Sequence, residues 1–245
     1  MLPKIWIIDT YSLLIFIGVI VCFMVFLKYT KHHKINQKFS YDILILGCVS
    51  IAIGILGAVG FQMLFDLIEG KIRGTAMTFY GGLIGGILTF LIGYFLVIKK
   101  KYKSARLIKD IAPIAPACIT IAHAFGRVGC FMAGCCYGKE TTSWLGMTFP
   151  NLINPVYPTQ LIEAIFLFIL GIVLTFLAIK KIWVFTLSLY LLTYGIFRFL
   201  LEYLRGDYRG GSLLNLSPSQ FISIIAIISS VIVYFVFNKI KNKST

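Results

Sequence analysis

The chain has 245 residues, of which 59% are hydrophobic and 13% charged, with a mean hydropathy of +0.91 and a formal net charge of +14. A soluble domain averages about 25% charged residues, so this composition excludes an ordinary water-soluble fold. The basic residues alternate loop by loop instead of forming one patch, which excludes nucleic acid as the partner they serve.

Apolar runs close to the length that crosses a bilayer occur seven times: about Tyr11–Leu27, Ile43–Leu64, Met77–Ile98, Ile108–Phe125, Thr159–Ile179, Ile182–Tyr203 and Pro218–Phe237. They predict an all-α, polytopic membrane protein with seven transmembrane helices, organised as a single domain over residues 1–245. No internal repeat or low-complexity tract is visible. The first run has one lysine before it, a basic cluster after it and no small-residue cleavage site, so it reads as a retained helix and not a signal peptide. The third contains Tyr80 and then Gly81-Gly82-Leu83-Ile84-Gly85-Gly86, two small-xxx-small pairs. These suit tight helix packing or a backbone that lets a lipid headgroup come close. The fourth carries Pro113 and Pro116, which predict a kinked or re-entrant helix whose freed backbone groups face protein or a polar cavity.

A loop at about 126–158 follows, holding Gly126, Gly129, Gly134 and Gly138 with Pro150, Pro155 and Pro158. A connection of that length is commonly functional. Its Phe131, Tyr137, Trp144, Phe149 and Tyr157 suit the headgroup layer. Gln160 and Glu163 open the fifth helix, and Tyr194, Arg198 and Glu202 lie along the sixth. Ser217 as cap and Pro218 in the first turn start the seventh.

Charge sets the expected orientation. Lys28, Lys31, Lys34, Lys38, Lys99, Lys100, Lys101, Lys103, Arg106, Lys180, Lys181, Lys239, Lys241 and Lys243 lie at one set of helix ends. The other set carries Lys4, Lys71, Arg73, Arg127, Lys139, Arg205 and Arg209, so 14 basic residues face 7. The positive-inside rule then predicts the N-terminus outside and the C-terminus cytoplasmic, as an odd helix count requires. The basic side would also grip anionic membrane lipids.

With that topology Tyr11, Asp66, Tyr80, His123, Arg127, Gln160, Glu163, Tyr194, Arg198 and Glu202 all fall toward the outer side. The inner halves hold almost no ionisable group. One outward-facing polar chamber is therefore expected, and a transporter's through-path is disfavoured. Tyr194, Arg198 and Glu202 are four apart and share a helical face; His123 and Arg127 do the same if their helix persists. An arginine at bilayer depth costs about 2.5–3.5 kcal/mol even on lenient scales. Arg127 and Arg198 therefore point to an anion, and the abundant anion of a bilayer is a lipid phosphate. An Arg198–Glu202 ion pair with snorkelling side chains is the structural alternative.

The segment Gly126-Arg127-Val128-Gly129-Cys130-Phe131-Met132-Ala133-Gly134-Cys135-Cys136-Tyr137-Gly138 resembles the signature of the prolipoprotein diacylglyceryl transferase family, G-R-x-G-N-F-x-N-x-E-x-x-G. The resemblance extends to Thr10-Tyr11-Ser12, Tyr80-Gly81-Gly82-Leu83, Tyr157-Pro158-Thr159-Gln160-Leu161-Ile162-Glu163-Ala164 and Tyr194-Gly195-Ile196-Phe197-Arg198 with Glu202. The Cys-containing form is similar to a variant that recurs in a branch of that family. The resemblance implies a transferase of the bacterial cytoplasmic membrane, with its active site facing outward. It would move the diacylglyceryl group of phosphatidylglycerol to the lipobox cysteine of a prolipoprotein signal peptide, releasing glycerol 1-phosphate. Arg127 and Arg198 would hold the phosphate and stabilise charge on its leaving oxygen. Glu202 would orient Arg198, and Tyr11, Gly81, Gly82, Gly126, Gly129, Gly138, Gln160, Glu163 and Tyr194 would line the substrate site.

Departures from the pattern bear on the chemistry. Tyr80 stands where the family has its histidine base candidate, and a phenol with pKa near 10 is a poor base at neutral pH; two readings of His123 stay open, a substitute base and a satisfied structural histidine. Cys130, Ala133 and Cys135 replace two asparagines and a glutamate. No cofactor is expected, and C-x4-C-C over Cys130, Cys135 and Cys136 is not a standard zinc spacing. Four readings of these thiols stay open: a disulfide, a reactive thiol, metal ligation together with His123, and packing. Cys22, Cys48 and Cys118 are isolated in helices and read as core residues. A non-transferase paralogue that binds lipid or handles thiol or metal at the outer face is the alternative function.

Overall fold

Asp9 opens the first long helix. Its Oδ2 accepts from both the backbone N–H and the hydroxyl of Ser12, each at 3.0 Å, satisfying donors that a helix start leaves without partners. The computed structural model describes residues 4–5, 8–70, 79–103, 106–150, 152–181, 185–206 and 216–242. Two-residue strands β1 (Lys4–Ile5) and β2 (Ile8–Asp9) precede α1 (Thr10–His32). Then come α2 (Gln37–Glu69) and α3 (Phe79–Gly93), which continues through a π turn (Tyr94–Ile98) into α4 (Lys99–Tyr102). The short α5 (Arg106–Ile111) leads to α6 (Ala115–Ala133), α7 (Thr159–Lys180) and α8 (Thr186–Leu201). A 3₁₀ turn (Glu202–Leu204) and α9 (Pro218–Asn242) complete the order.

Among the described residues seven helical stretches are long and apolar enough to cross a membrane, as expected. Met77 and Ile182, the expected first residues of the third and sixth helices, lie outside the described residues, as do Lys71, Arg73, Arg209 and Lys243 of the charge pattern.

The fourth expected helix differs most. Prolines lack the N–H that continues a helix, and here they break it instead of kinking it. α5 stops at Ile111, and α6 restarts at Ala115 with Pro116 in its first turn. α6 then runs through Gly126–Ala133, a stretch expected in the loop, until Gly134 ends it at φ 70°. Glycine there does not mark a turn: a Cβ on Gly129 would lie 2.8 Å from Cδ2 of Tyr11, so the missing side chain seats the first turn of α1.

The chain forms two compact units, one combining residues 1–29 with 111–245 and the other spanning residues 30–110. In the first, Thr186 donates to the carbonyl of Pro113 at 2.7 Å, and the Cys22 thiol donates to the carbonyl of Cys118 at 2.9 Å. Fully buried Leu167 and Leu174 lie at its centre. The second unit is built on α2 and α3, whose backbones meet through glycine. A Cβ on Gly57 would come within 2.8 Å of the Gly81 carbonyl oxygen, and one on Gly54 within 3.0 Å of that of Gly82. The packing reading of the glycine run thus has its geometry. A Gly57→Val protein is expected to lose about 1–3 kcal/mol of stability, the usual cost of overpacking, measured as lowered thermal stability in detergent beside Gly47→Val, where nothing lies within 4 Å of the new Cβ.

Candidate functional site

Three helices of the first unit converge on one carboxylate. Glu163, in the first turns of α7, is fully buried. Its Oε2 pairs with Nε of Arg127 on α6 at 3.0 Å, and its Oε1 accepts the Tyr194 hydroxyl of α8 at 2.8 Å. Arg127 Nε also reaches Nε2 of His123 at 3.3 Å, one turn earlier on α6. His123 packs edge-on against Tyr194 with ring centroids 5.3 Å apart, and Tyr190 stacks on Tyr194 in turn. The Nε2 lone pair of His123 is therefore engaged by the guanidinium.

A second pair lies one turn along α8. Arg198, 6% exposed, has Nη1 at 2.7 Å from Oε2 of Glu202, and its Nη2 donates to Ser219 at 3.0 Å. The start of α9 fixes this pair. The Ser217 hydroxyl accepts from the N–H of Gln220 at 3.2 Å while Gln220 Oε1 accepts from the N–H of Ser217 at 3.0 Å, a reciprocal capping box. The same hydroxyl donates to Glu202 Oε1 at 2.8 Å. His123 and Tyr194 both lie within electrostatic range of Arg127 and Arg198, so the two pairs share one region.

The two arginines differ in what they have left to offer. Arg198 donates through Nη2 to Ser219 and pairs through Nη1 with Glu202, a charge contact without hydrogen-bond geometry. Arg127 is held through Nε, its side chain is 16% exposed, and among the described residues its two terminal nitrogens make no hydrogen bond. The anion each arginine holds in the folded chain is a carboxylate. Arg127, the more exposed of the two, keeps a planar pair of donors for a second one.

The segment after α6 is ordered by the start of α7. Gly134 folds the chain back, with the N–H of Cys135 reaching the Cys130 carbonyl at 3.1 Å. Gln160 then donates to the Cys135 carbonyl at 2.9 Å, and Thr159 to that of Cys136 at 3.1 Å. Gln160 Oε1 is buried without a hydrogen-bond partner among the described residues, leaving an acceptor for a ligand hydroxyl. Gly138 pairs with Arg205 in a β-bridge, and a Cβ there would clash with the Leu204 carbonyl oxygen. Arg205 is buried in this bridge instead of snorkelling at a helix end.

The three thiols of this segment converge. Sγ of Cys130, Cys135 and Cys136 all lie within 4.8 Å of one another, and none is disulfide-linked. Cys136 holds a left-handed backbone, φ 65°, unusual for a residue with a side chain. A hydrogen bond with Cys130 favours the Cys135 thiolate, but the hydrogen bond with Cys136, burial and sulfur repulsion outweigh it and push the thiol up. Tyr11 lies within electrostatic range of all three sulfurs and of Arg127. Cys135 and Cys136 line an open cleft of about 620 Å³ with Tyr137, Lys139 and Gly206.

The structure thus brings together Tyr11, His123, Arg127, Gly129, Cys130, Cys135, Cys136, Gly138, Gln160, Glu163, Tyr194, Arg198 and Glu202 within the first unit. Gly126 lies in α6 beside Arg127 with nothing within 4 Å of where its Cβ would be. Tyr80, Gly81 and Gly82 belong to the second unit, and the Tyr80 side chain is outside the described residues. Sequence reasoning missed Ser219 and the contact of Ser217 with Glu202. The capping pattern pointed to Ser217, but nothing local pointed to its partner.

Residues 2–236 match the family described as prolipoprotein diacylglyceryl transferase. The phosphatidylglycerol–prolipoprotein diacylglyceryl transferase 2 of Clostridium perfringens is 35% identical over 96% of this chain and 92% of its own length. The corresponding transferase of Clostridium tetani is also 35% identical, over 93% and 91%. That of Finegoldia magna is 32% identical over 94% and 91%.

Proposed function

The chain belongs to the prolipoprotein diacylglyceryl transferase family, and from that premise we propose that it transfers the diacylglyceryl group of phosphatidylglycerol to a prolipoprotein cysteine. A C–O bond at the glyceryl carbon breaks, a thioether forms, and glycerol 1-phosphate leaves. The observation that carries the site assignment is Arg127, clamped through Nε by Glu163 with its terminal donors unspent. Those donors take the lipid phosphate and the charge that builds on its leaving oxygen. Glu163 and Tyr194 fix the guanidinium plane. Arg198, held by Glu202 and Ser219, shapes the wall. The Gln160 acceptor and the open space beside Gly126 suit the glycerol headgroup.

In this reading the acceptor is a signal peptide whose cysteine lies in a lipobox. The protein is a multi-pass protein of the bacterial cytoplasmic membrane, working as one functional domain over residues 1–245. Its N-terminus and polar chamber face outward, supported by the excess of 14 basic residues over 7 between the two sets of helix ends. Purified protein in phosphatidylglycerol micelles is expected to lipidate a lipobox peptide, seen as a gel shift with release of glycerol phosphate. Absence of both would reject the assignment.

A further inference from the structure

We propose that Cys130, Cys135 and Cys136 form a three-thiolate zinc site whose fourth position receives the acceptor cysteine, a deepening that rests on the transferase reading. Three sulfurs already converge within 4.8 Å. On a tetrahedral zinc, with Zn–S about 2.3 Å, they would sit ~3.8 Å apart, so small side-chain rotations complete the set. A disulfide would use two of the three and leave one over. Packing alone does not account for an exposed Cys135 or for the left-handed backbone that Cys136 adopts. The helix cap at Gly134 and the hydrogen bonds from Thr159 and Gln160 hold the ligand-bearing backbone rigid.

Three protein ligands with one open position are the pattern of a catalytic zinc, not a structural one. The open cleft lined by Cys135 and Cys136 gives a substrate thiol access to it. The reaction needs this help. An unperturbed thiol has a pKa near 8.5. The one histidine beside the site, His123, has its Nε2 engaged by Arg127. Coordination to zinc deprotonates a thiol outright, with the proton passing to water. The zinc-bound thiolate of the acceptor then attacks the glyceryl carbon. The C–S bond forms as the C–O bond breaks, and the electron pair leaves with the phosphate, which becomes a monoester dianion. The thioether product is a poor zinc ligand and vacates the site. Arg127 is within electrostatic range of Cys130 and Cys136, so the phosphate holder and the nucleophile holder are neighbours.

The test uses full-length protein, reduced and stripped of metal in detergent, with cobalt(II) as the optical probe. One cobalt per chain is expected, with a thiolate charge-transfer band that zinc displaces. Cys130→Ser, Cys135→Ser and Cys136→Ser should each weaken binding, while Cys48→Ser in α2 should not. Adding a lipobox peptide should shift the ligand-field bands, and the same peptide with serine for its cysteine should leave them unchanged. Chelation should lower transfer on the order of 10²-fold, the scale of losing nucleophile deprotonation, with recovery on adding zinc. No cobalt band, or a band unchanged in all three serine variants, overturns the site. A band indifferent to the peptide, or transfer indifferent to chelation, overturns its role toward the acceptor. Cobalt and peptide ligation without any transfer in the zinc-loaded protein would uphold the site and reject the transferase reading instead.

Discussion

Arg127→Ala protein in phosphatidylglycerol micelles is expected to lose about 10²–10³-fold in transfer rate, the range seen when one preorganised donor to a developing oxyanion is removed. The expectation follows from an arginine whose Nε is anchored on Glu163 at 3.0 Å while its terminal nitrogens stay unspent. Removing it takes away the donors proposed to receive the leaving phosphate. Arg127→Lys should rescue little, because an ammonium offers a point charge where a planar fork is needed. Release of glycerol phosphate measures the rate, and thermal unfolding in detergent separates loss of the donor from the destabilisation that an uncompensated Glu163 brings. Arg127→Ala protein with wild-type turnover would remove this residue from the chemistry.

Glu163→Leu is expected to have the largest effect on stability. Breaking a buried ion pair by removing one partner costs about 3–5 kcal/mol, because the remaining charge is left without compensation. Here the loss also strands the Tyr194 hydroxyl, which donates to Glu163 at 2.8 Å. The double variant Glu163→Leu with Arg127→Leu should recover most of the loss, since it removes the orphaned cation together with its partner. Thermal unfolding in detergent measures both. If the single variant were as stable as the parent, Glu163 would not be the pivot joining α6, α7 and α8.

The parts of this architecture that sequence alone reveals are those with local causes. Seven apolar stretches of spanning length, the α7 start at Thr159 and the Ser217 cap depend on composition and short-range chemistry. So does the shared face of Tyr194, Arg198 and Glu202, which needs helical spacing alone. The end of α6 was hidden because Gly126 and Gly129 look like loop formers. Gly129 serves inside the helix to make room for Tyr11, more than a hundred residues away. Glu163 was recognisable as a chamber residue, but its pairing with Arg127 and Tyr194 arises only when three helices pack. Ser219 was invisible for the same reason, since its contact with Arg198 bridges two helices. The convergence of three sulfurs depends on the fold-back at Gly134, which spacing in the chain does not reveal.

The matching of each arginine by its own glutamate bears on turnover. Phosphatidylglycerol enters with one negative charge and glycerol phosphate departs with two. Arg127 and Arg198 are already neutralised one for one by Glu163 and Glu202, so this pair of cations has no surplus to retain a dianion. A bare arginine pair would hold the doubly charged headgroup more tightly than the singly charged lipid. If these arginines hold the headgroup as proposed, their glutamates would keep that grip weak enough for the product to escape into water.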